Sequence, residues 1–249
     1  LDLDEKRNRV VVGLDPSVET TLRRELPSVL VGLGIDTTAV VFEAIPVVRP
    51  QSLDNGDIRG VADTLVGGVM VSVDTAGLNK GCTLGVVLDY GGTRSVLTNS
   101  HCTRYPFSFN GDTAFQPDNV HSFYAYETSD PSTHTCGIVP NVYPCRNSDA
   151  AILTVLSSRT STKGLIARTT YYGHSSAGSR SWDTDRPYFV ITSTTPNPGT
   201  GTIVHKVGIE TGWTFGTVTA TCVDVNYPTG EKILCSTAAD YYSDHGDSG

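Results

Sequence analysis

The sequence has little positive charge: 18 lysine and arginine residues face 26 aspartate and glutamate residues, which gives a net charge of −8. Nucleic acids and anionic membrane surfaces both select for lysine and arginine, so neither is an expected partner. No apolar run approaches the roughly 18 residues that a membrane-spanning helix needs. We therefore predict a protein that binds no nucleic acid and no membrane.

The sequence also lacks a CxxC motif and any cysteine–histidine cluster at zinc spacing, so we predict no metal and no cofactor. Its cysteines are even in number, which favours disulfides and an extracytoplasmic compartment. The sequential pairing closes three short loops and is the one we favour among the many possible. Six buried free thiols in a cytosolic protein are the alternative. The cysteines are Cys82, Cys102, Cys136, Cys145, Cys222 and Cys235.

Residues 8–44 differ in pattern from the rest of the chain. Arg9–Val12 is a short apolar run of strand type. Asp15-Pro16 is a good helix start, and Pro27 is expected to end or kink that helix. Thr38–Glu43 then predicts a second strand. The opening segment is therefore predicted to be a β-α-β unit, which is too small to be stable on its own.

The remainder reads as an all-β protein. A linker is predicted at Pro46–Arg59 from its proline, asparagine and glycine content, so we divide the chain into an N-terminal segment, 1–60, and a main domain, 61–249. From Leu65 on, short apolar or alternating runs are separated by turn-forming residues, as in antiparallel sandwiches and barrels. The clearest runs are Val69–Val73, Leu84–Leu88, Ser95–Thr98, Ala151–Leu156, Tyr188–Thr192, Gly216–Val223 and Lys232–Leu234.

The last four residues carry the strongest chemical signal. In Gly246-Asp247-Ser248-Gly249, a serine lies between residues that tolerate a strained bend. Such a bend presents Ser248 as a nucleophile and the N–H groups of Gly246 and Ser248 as donors to an oxyanion.

Two upstream motifs supply the partners that a serine nucleophile needs. The β-type run Leu97–Cys102 closes with His101 beside Cys102, whose disulfide would restrain the backbone. Asp149 lies at the mouth of an apolar strand, where a buried carboxylate needs a donor such as a histidine Nδ1–H. The order is His101, Asp149, Ser248, with gaps long enough for several strands between them.

These motifs, LTNSHC, SDAAIL and GDSG in this order, resemble those of the chymotrypsin-like serine proteases, in particular the bacterial branch. The resemblance covers roughly Leu65 to Gly249 and implies two antiparallel β-barrels. It implies that His101 is the general base, that Asp149 orients it, and that Ser248 attacks the scissile carbonyl. It also implies an oxyanion hole at Gly246 and Ser248 and a disulfide between Cys82 and Cys102.

The sequence departs from the family pattern in three places. Asn99 and Ser100 stand where two small residues usually precede the histidine. The resemblance implies further strands, including most of the S1 pocket, after Gly249, so we expect a fragment with a truncated second barrel. Leu65–Gly68 resembles the segment at which animal zymogens are cut to free an amino group for Asp247, but no lysine or arginine precedes it. The alternative is an ordinary first strand that needs no such ion pair.

The sequence therefore predicts a secreted serine endopeptidase that hydrolyses peptide bonds through a triad and an acyl-enzyme. We expect protein or peptide substrates and a monomer. A catalytically silent protein that uses the protease fold for binding is the alternative, although the intact triad disfavours it. Residues 1–60 are interpreted as a pro-region, with a permanently attached accessory layer as the other possibility.

Overall fold

The computed structural model describes residues 2–4, 9–14, 19–44, 56–75, 78–118, 121–196 and 198–249. The chain divides into two units, Leu1–Pro50 and Gln51–Gly249. Within these described ranges, no helix is both long enough and apolar enough to span a bilayer.

The first unit is a β-α-β element, as predicted. Its strands β2 and β3 pair in parallel, with Val10 opposite Val40, and β1 adds to β2 in antiparallel fashion. A parallel pair requires a crossover connection, and the helix α1 provides it. The elements are β1 (Asp2–Asp4), β2 (Arg9–Leu14), α1 (Glu19–Gly32) and β3 (Val40–Ala44).

The helix α1 does not end at Pro27, which lies inside it. A proline removes one backbone N–H from the helix, which costs one hydrogen bond but does not by itself terminate the helix. The end is set by Gly34 at φ 73°, where the N–H of Gly34 bonds to Val31 and that of Ile35 bonds to Leu30 at 2.9 Å. These two bonds form a Schellman motif. The predicted helix start, Asp15-Pro16, lies outside the described residues.

The second unit is built from curled, mainly antiparallel sheets. A seven-stranded sheet has the order β6-β5-β9-β10-β13-β8-β7. Its strands are β5 (Met70–Thr75), β6 (Leu78–Thr83), β7 (Val86–Tyr90), β8 (Thr93–Thr98), β9 (Thr113–Gln116), β10 (Ser122–Ser129) and β13 (Ala151–Val155).

A five-stranded and a three-stranded sheet complete this unit, with the orders β11-β12-β18-β17-β16 and β15-β14-β4. The strands of the first are β11 (His134–Ile138), β12 (Asn141–Arg146), β16 (Ile203–Gly208), β17 (Gly212–Asn226) and β18 (Lys232–Ala239). Those of the second are β4 (Leu65–Gly67), β14 (Ser161–Ala167) and β15 (Tyr188–Val190).

The core follows the alternation of the strands. In β13, the side chains of Ala151, Leu153 and Val155 are buried, while the residues between them are partly exposed. This period of two keeps one face of the strand in the core. Other fully buried residues include Ile58, which lies inside the stretch whose composition predicts a linker, and Leu65, Val66, Val69, Leu84 and Val96.

Candidate active site

The pairing of β8 with β13 brings two of the predicted site residues together. Thr98 is opposite Ala151, the first residue of β13. Because the strands are antiparallel, the residues after Thr98 lie beside the residues before Ala151. His101 follows in a short 3-10 turn, Ser100–Cys102, and Asp149 closely precedes β13. The register thus places the imidazole beside the carboxylate.

The carboxylate of Asp149 is surrounded by donors. Its Oδ1 accepts the backbone N–H of His101 at 3.0 Å, and its Oδ2 lies against His101 Nδ1. The side chain of Asn99 donates to Asp149 Oδ2 and to its backbone carbonyl, at 3.2 and 2.8 Å. Tyr227 Oη lies 2.5 Å from Asp149 Oδ2. Burial raises the pKa of Asp149, but the hydrogen bonds from His101 and Tyr227 outweigh it and hold the pKa below its ordinary value.

The other ring nitrogen of His101 faces the serine. His101 Nε2 lies 2.8 Å from Ser248 Oγ. With Nδ1 hydrogen-bonded to a carboxylate, the neutral ring carries its proton on Nδ1 and leaves Nε2 as an acceptor for the hydroxyl proton. The structure therefore brings His101, Asp149 and Ser248 into one hydrogen-bonded chain.

The bend that presents Ser248 needs a glycine before it. Gly246 has φ 108°, and a Cβ there would lie 2.9 Å from Glu210 Cγ. The positive φ therefore favours glycine here, and a Cβ would also force the Glu210 side chain to move. Among the described residues, the N–H groups of Gly246 and Ser248 donate no hydrogen bond, so they are available as the predicted oxyanion donors.

Asp247, between these two residues, is held by a largely buried ion pair. Its Oδ2 lies 2.7 Å from Lys206 Nζ, and its Oδ1 accepts the N–H groups of Glu210 and Thr211 at 2.9 and 3.1 Å. Burial raises the pKa of Asp247, but its bonds to Lys206 and Thr211 lower it by more, so the net shift is downward. Leu65, where a zymogen-type cut would free an amino group, lies in β4, and its N–H donates to the carbonyl of Thr160 at 3.0 Å. In this structure the cation beside the Asp247 carboxylate is Lys206.

A second buried ion pair lies behind His101 and Asp149. Arg146 Nη1 lies 2.7 Å from Asp130 Oδ1, and both side chains are almost fully buried. Ser100 Oγ donates to Asp130 Oδ2 at 2.7 Å, and Arg146 Nη2 donates to the carbonyl of Ala150 at 2.9 Å. The pair therefore joins the residue before His101 to the residue after Asp149.

Sequence reasoning missed this pair. It also missed Tyr227 and Thr83, whose hydroxyl donates to the carbonyl of Gly246 at 2.8 Å. Asp130 and Arg146 lie in no recognisable motif, and their partnership depends on the tertiary fold. Ser100 is named only as a departure from the family pattern, and its hydroxyl explains the departure: it bonds to both Asp130 and Arg146. A small polar residue before the histidine is the one signal that the sequence offers.

The six cysteines form three pairs in the structure: Cys82 with Cys102, Cys136 with Cys145 and Cys222 with Cys235. These are the sequential pairs. The first joins the end of β6 to the turn that carries His101. His134 lies close to Cys136 and Cys145. These two cysteines form a disulfide, so their sulfurs are not the thiolates that bind metals.

No protein-family model matches this chain, and no curated protein matches it. Solved structures do match. Protease A of Thermobifida fusca has a TM-score of 0.51 and 20% identity over 75% of each chain. The Nocardiopsis protease NAPase has a TM-score of 0.50 and 21% identity, over 75% of this chain and 76% of that chain. These neighbours have the chymotrypsin-like two-barrel fold, which confirms the predicted fold.

Proposed function

We propose that this chain, which has the fold of the chymotrypsin-like serine proteases, is a serine endopeptidase. The observation that carries the proposal is the chain of contacts at the site: Ser248 Oγ lies 2.8 Å from His101 Nε2, while His101 Nδ1 faces Asp149 Oδ2. A serine hydroxyl is a weak nucleophile unless a base takes its proton, and this arrangement provides the base and orients it.

In the proposed reaction, Ser248 Oγ attacks the scissile carbonyl carbon while its proton passes to His101 Nε2. The N–H groups of Gly246 and Ser248 stabilise the resulting oxyanion. The tetrahedral intermediate then breaks the C–N bond, and His101 returns the proton to the leaving amine, which leaves an acyl-enzyme. A water molecule then attacks the ester carbonyl carbon while it gives a proton to His101 Nε2. The second tetrahedral intermediate breaks the C–Oγ bond, and His101 returns the proton to Ser248 Oγ, which releases the carboxylic acid product. Asp149 remains ionised throughout and stabilises the imidazolium.

The substrate class, location and assembly follow from the same proposal. Protein or peptide chains are the substrates, and the three disulfides support an extracytoplasmic, secreted protein. We propose a monomer. Residues 1–60 are proposed as a pro-region that precedes the protease domain. Sequencing of the N-terminus of secreted, active enzyme should find a start near residue 60, whereas a start near Leu1 would favour a permanent accessory layer.

Kinetics of triad variants, made in the full-length protein, test the function. Ser248→Ala and His101→Ala should each lower kcat on peptide substrates by several orders of magnitude, and the double variant should be little worse, because the two residues act as a unit. Asp149→Asn should also lower kcat severely, since the amide can hold His101 in the wrong tautomer. Unchanged hydrolysis after Ser248→Ala would refute the proposal. A folded protein that is inert toward broad peptide libraries would favour the binding-protein alternative.

A further inference from the structure

Tyr227 lies where the hairpin of β17 and β18 reaches the predicted triad. It follows β17 directly and begins the turn to β18, after the paired residues Asn226 and Lys232. Its N–H donates to Glu231 at 2.8 Å, and its carbonyl accepts the N–H of Gly230 at 3.0 Å. Because both bonds close the turn, the β17–β18 hairpin sets the backbone position from which the tyrosine side chain extends.

The ring of Tyr227 is held between two other rings. It meets the buried ring of Phe107 edge to face, with centroids 5.1 Å apart, and the imidazole of His101 at a tilt, with centroids 5.9 Å apart. Phe107 is itself anchored, because its N–H donates to Ser100 Oγ at 2.7 Å and its ring lies against Arg146. The ring of Tyr227 therefore packs against a well-anchored neighbour.

The hydroxyl of Tyr227 has one good acceptor. It lies 2.5 Å from Asp149 Oδ2 and 3.4 Å from His101 Nδ1. In the tautomer that the triad needs, Nδ1 carries a proton and cannot accept. The hydroxyl proton of Tyr227 must therefore point at the carboxylate, on the same oxygen that accepts from His101.

The charges around this hydroxyl keep it protonated. Burial raises the pKa of Tyr227 well above its ordinary value, and its hydrogen bond to Asp149 raises it further, while Arg146 lowers it slightly. Arg146 is in turn paired with Asp130. Tyr227 is therefore a neutral donor over the whole range in which an imidazole titrates.

We propose that Tyr227 is a positioning residue for the triad, whose hydroxyl holds Asp149 Oδ2 in the orientation that binds His101. This inference rests on the proposed protease function. The hydrogen bond from the Tyr227 hydroxyl stabilises the negative charge of Asp149 and restricts rotation of its carboxylate. Removing it leaves the carboxylate freer to rotate, and it concentrates more negative charge on the oxygen that faces the imidazole.

Tyr227→Phe tests the inference, because it keeps the ring contacts and removes one oxygen. We expect kcat to fall about tenfold, as for the loss of a hydrogen bond to a charged group, with KM nearly unchanged. The acidic limb of the pH profile of kcat/KM should move to higher pH, because the more concentrated charge favours the imidazolium. The matched control is Tyr188→Phe: the Tyr188 hydroxyl is buried without a partner among the described residues, so its loss should leave the pH profile unchanged.

A measurement that needs no activity separates this inference from the proposed function. In a Ser248→Ala background, the NMR resonance of the His101 Nδ1 proton should move when Tyr227→Phe is added and stay in place when Tyr188→Phe is added. A displaced resonance, together with a protein that hydrolyses no peptide even when Ser248 is present, would support the positioning role and refute the protease function. An active enzyme whose kcat, pH profile and proton resonance are all unaffected by Tyr227→Phe would overturn the inference.

Discussion

The backbone N–H of Thr83 donates a hydrogen bond to the carbonyl oxygen of Ser248, at 2.7 Å. The Thr83 hydroxyl donates to the carbonyl of Gly246 at 2.8 Å and accepts the N–H of Ile209 at 3.1 Å. Thr83 follows Cys82, whose disulfide leads to Cys102, the residue after His101. One short segment of β6 therefore supports both the proposed base and the proposed nucleophile.

Thr83→Val should loosen the bend that carries Ser248. The substitution keeps the shape of the side chain but leaves the carbonyl of Gly246 and the N–H of Ile209 without their partner. A buried group left unsatisfied costs about 1–3 kcal/mol, so we expect a loss of this size in the free energy of unfolding, measured by urea denaturation. The kcat should fall as well, because the proposed oxyanion donors lie in this bend. Thr83→Ser keeps the hydroxyl, so it should retain most of the free energy of unfolding and most of the kcat. Equal losses in the two variants would show that the Thr83 hydroxyl does not support the bend.

Arg146→Met should strongly destabilise the protein. The substitution leaves the Asp130 carboxylate buried without its cation, and breaking a buried ion pair in this way typically costs about 3–5 kcal/mol. Lys163→Met is the matched control, since it removes a cation from an exposed pair with Asp89 and should change the unfolding free energy little. Thermal or urea unfolding measures both. A loss for Arg146→Met no larger than that of the control would show that the buried pair does not stabilise the fold.

Acid should weaken the fold partly through Asp247. Its pKa is lower in the folded state than in the unfolded chain, so its contribution to stability is fully present above about pH 5. That contribution is lost as the pH falls through the folded-state pKa, because the unfolded state then binds the proton more readily. The unfolding free energy of the wild type should therefore decrease more steeply between about pH 5 and pH 2 than that of Asp247→Asn. Parallel curves for the two proteins would contradict this assignment.

The sequence predicts the parts of this molecule that depend on local pattern. Alternation of apolar residues predicts β13, and turn-forming residues predict its boundaries. The position of Asp149 just before this strand could therefore be predicted. The end of α1 could not be placed from Pro27 alone, because the competing signal at Gly34 decides it. Strands such as β10, with the mixed sequence SFYAYETS, lack a simple period, since a bulge shifts the register between Glu127 and Ser129.

In the candidate site, too, the residues in local motifs could be predicted and those defined by long-range contacts could not. His101, Asp149 and Ser248 lie in short motifs and could be named from the sequence alone. Tyr227, Thr83 and the Asp130–Arg146 pair could not, because each acts through a contact between residues far apart in the chain. The identity of such a contact depends on sheet register and on how the two barrels meet, neither of which a local pattern records.

The most direct test of the account is covalent labelling of Ser248 by a serine-directed phosphonylating reagent, located by peptide mass spectrometry. A serine hydroxyl reacts with such a reagent only when a base activates it. We expect labelling at Ser248 in the full-length wild type, and none in a His101→Ala variant whose circular dichroism shows an intact fold. A folded wild type that remains unlabelled, or equal labelling of the two proteins, would contradict it.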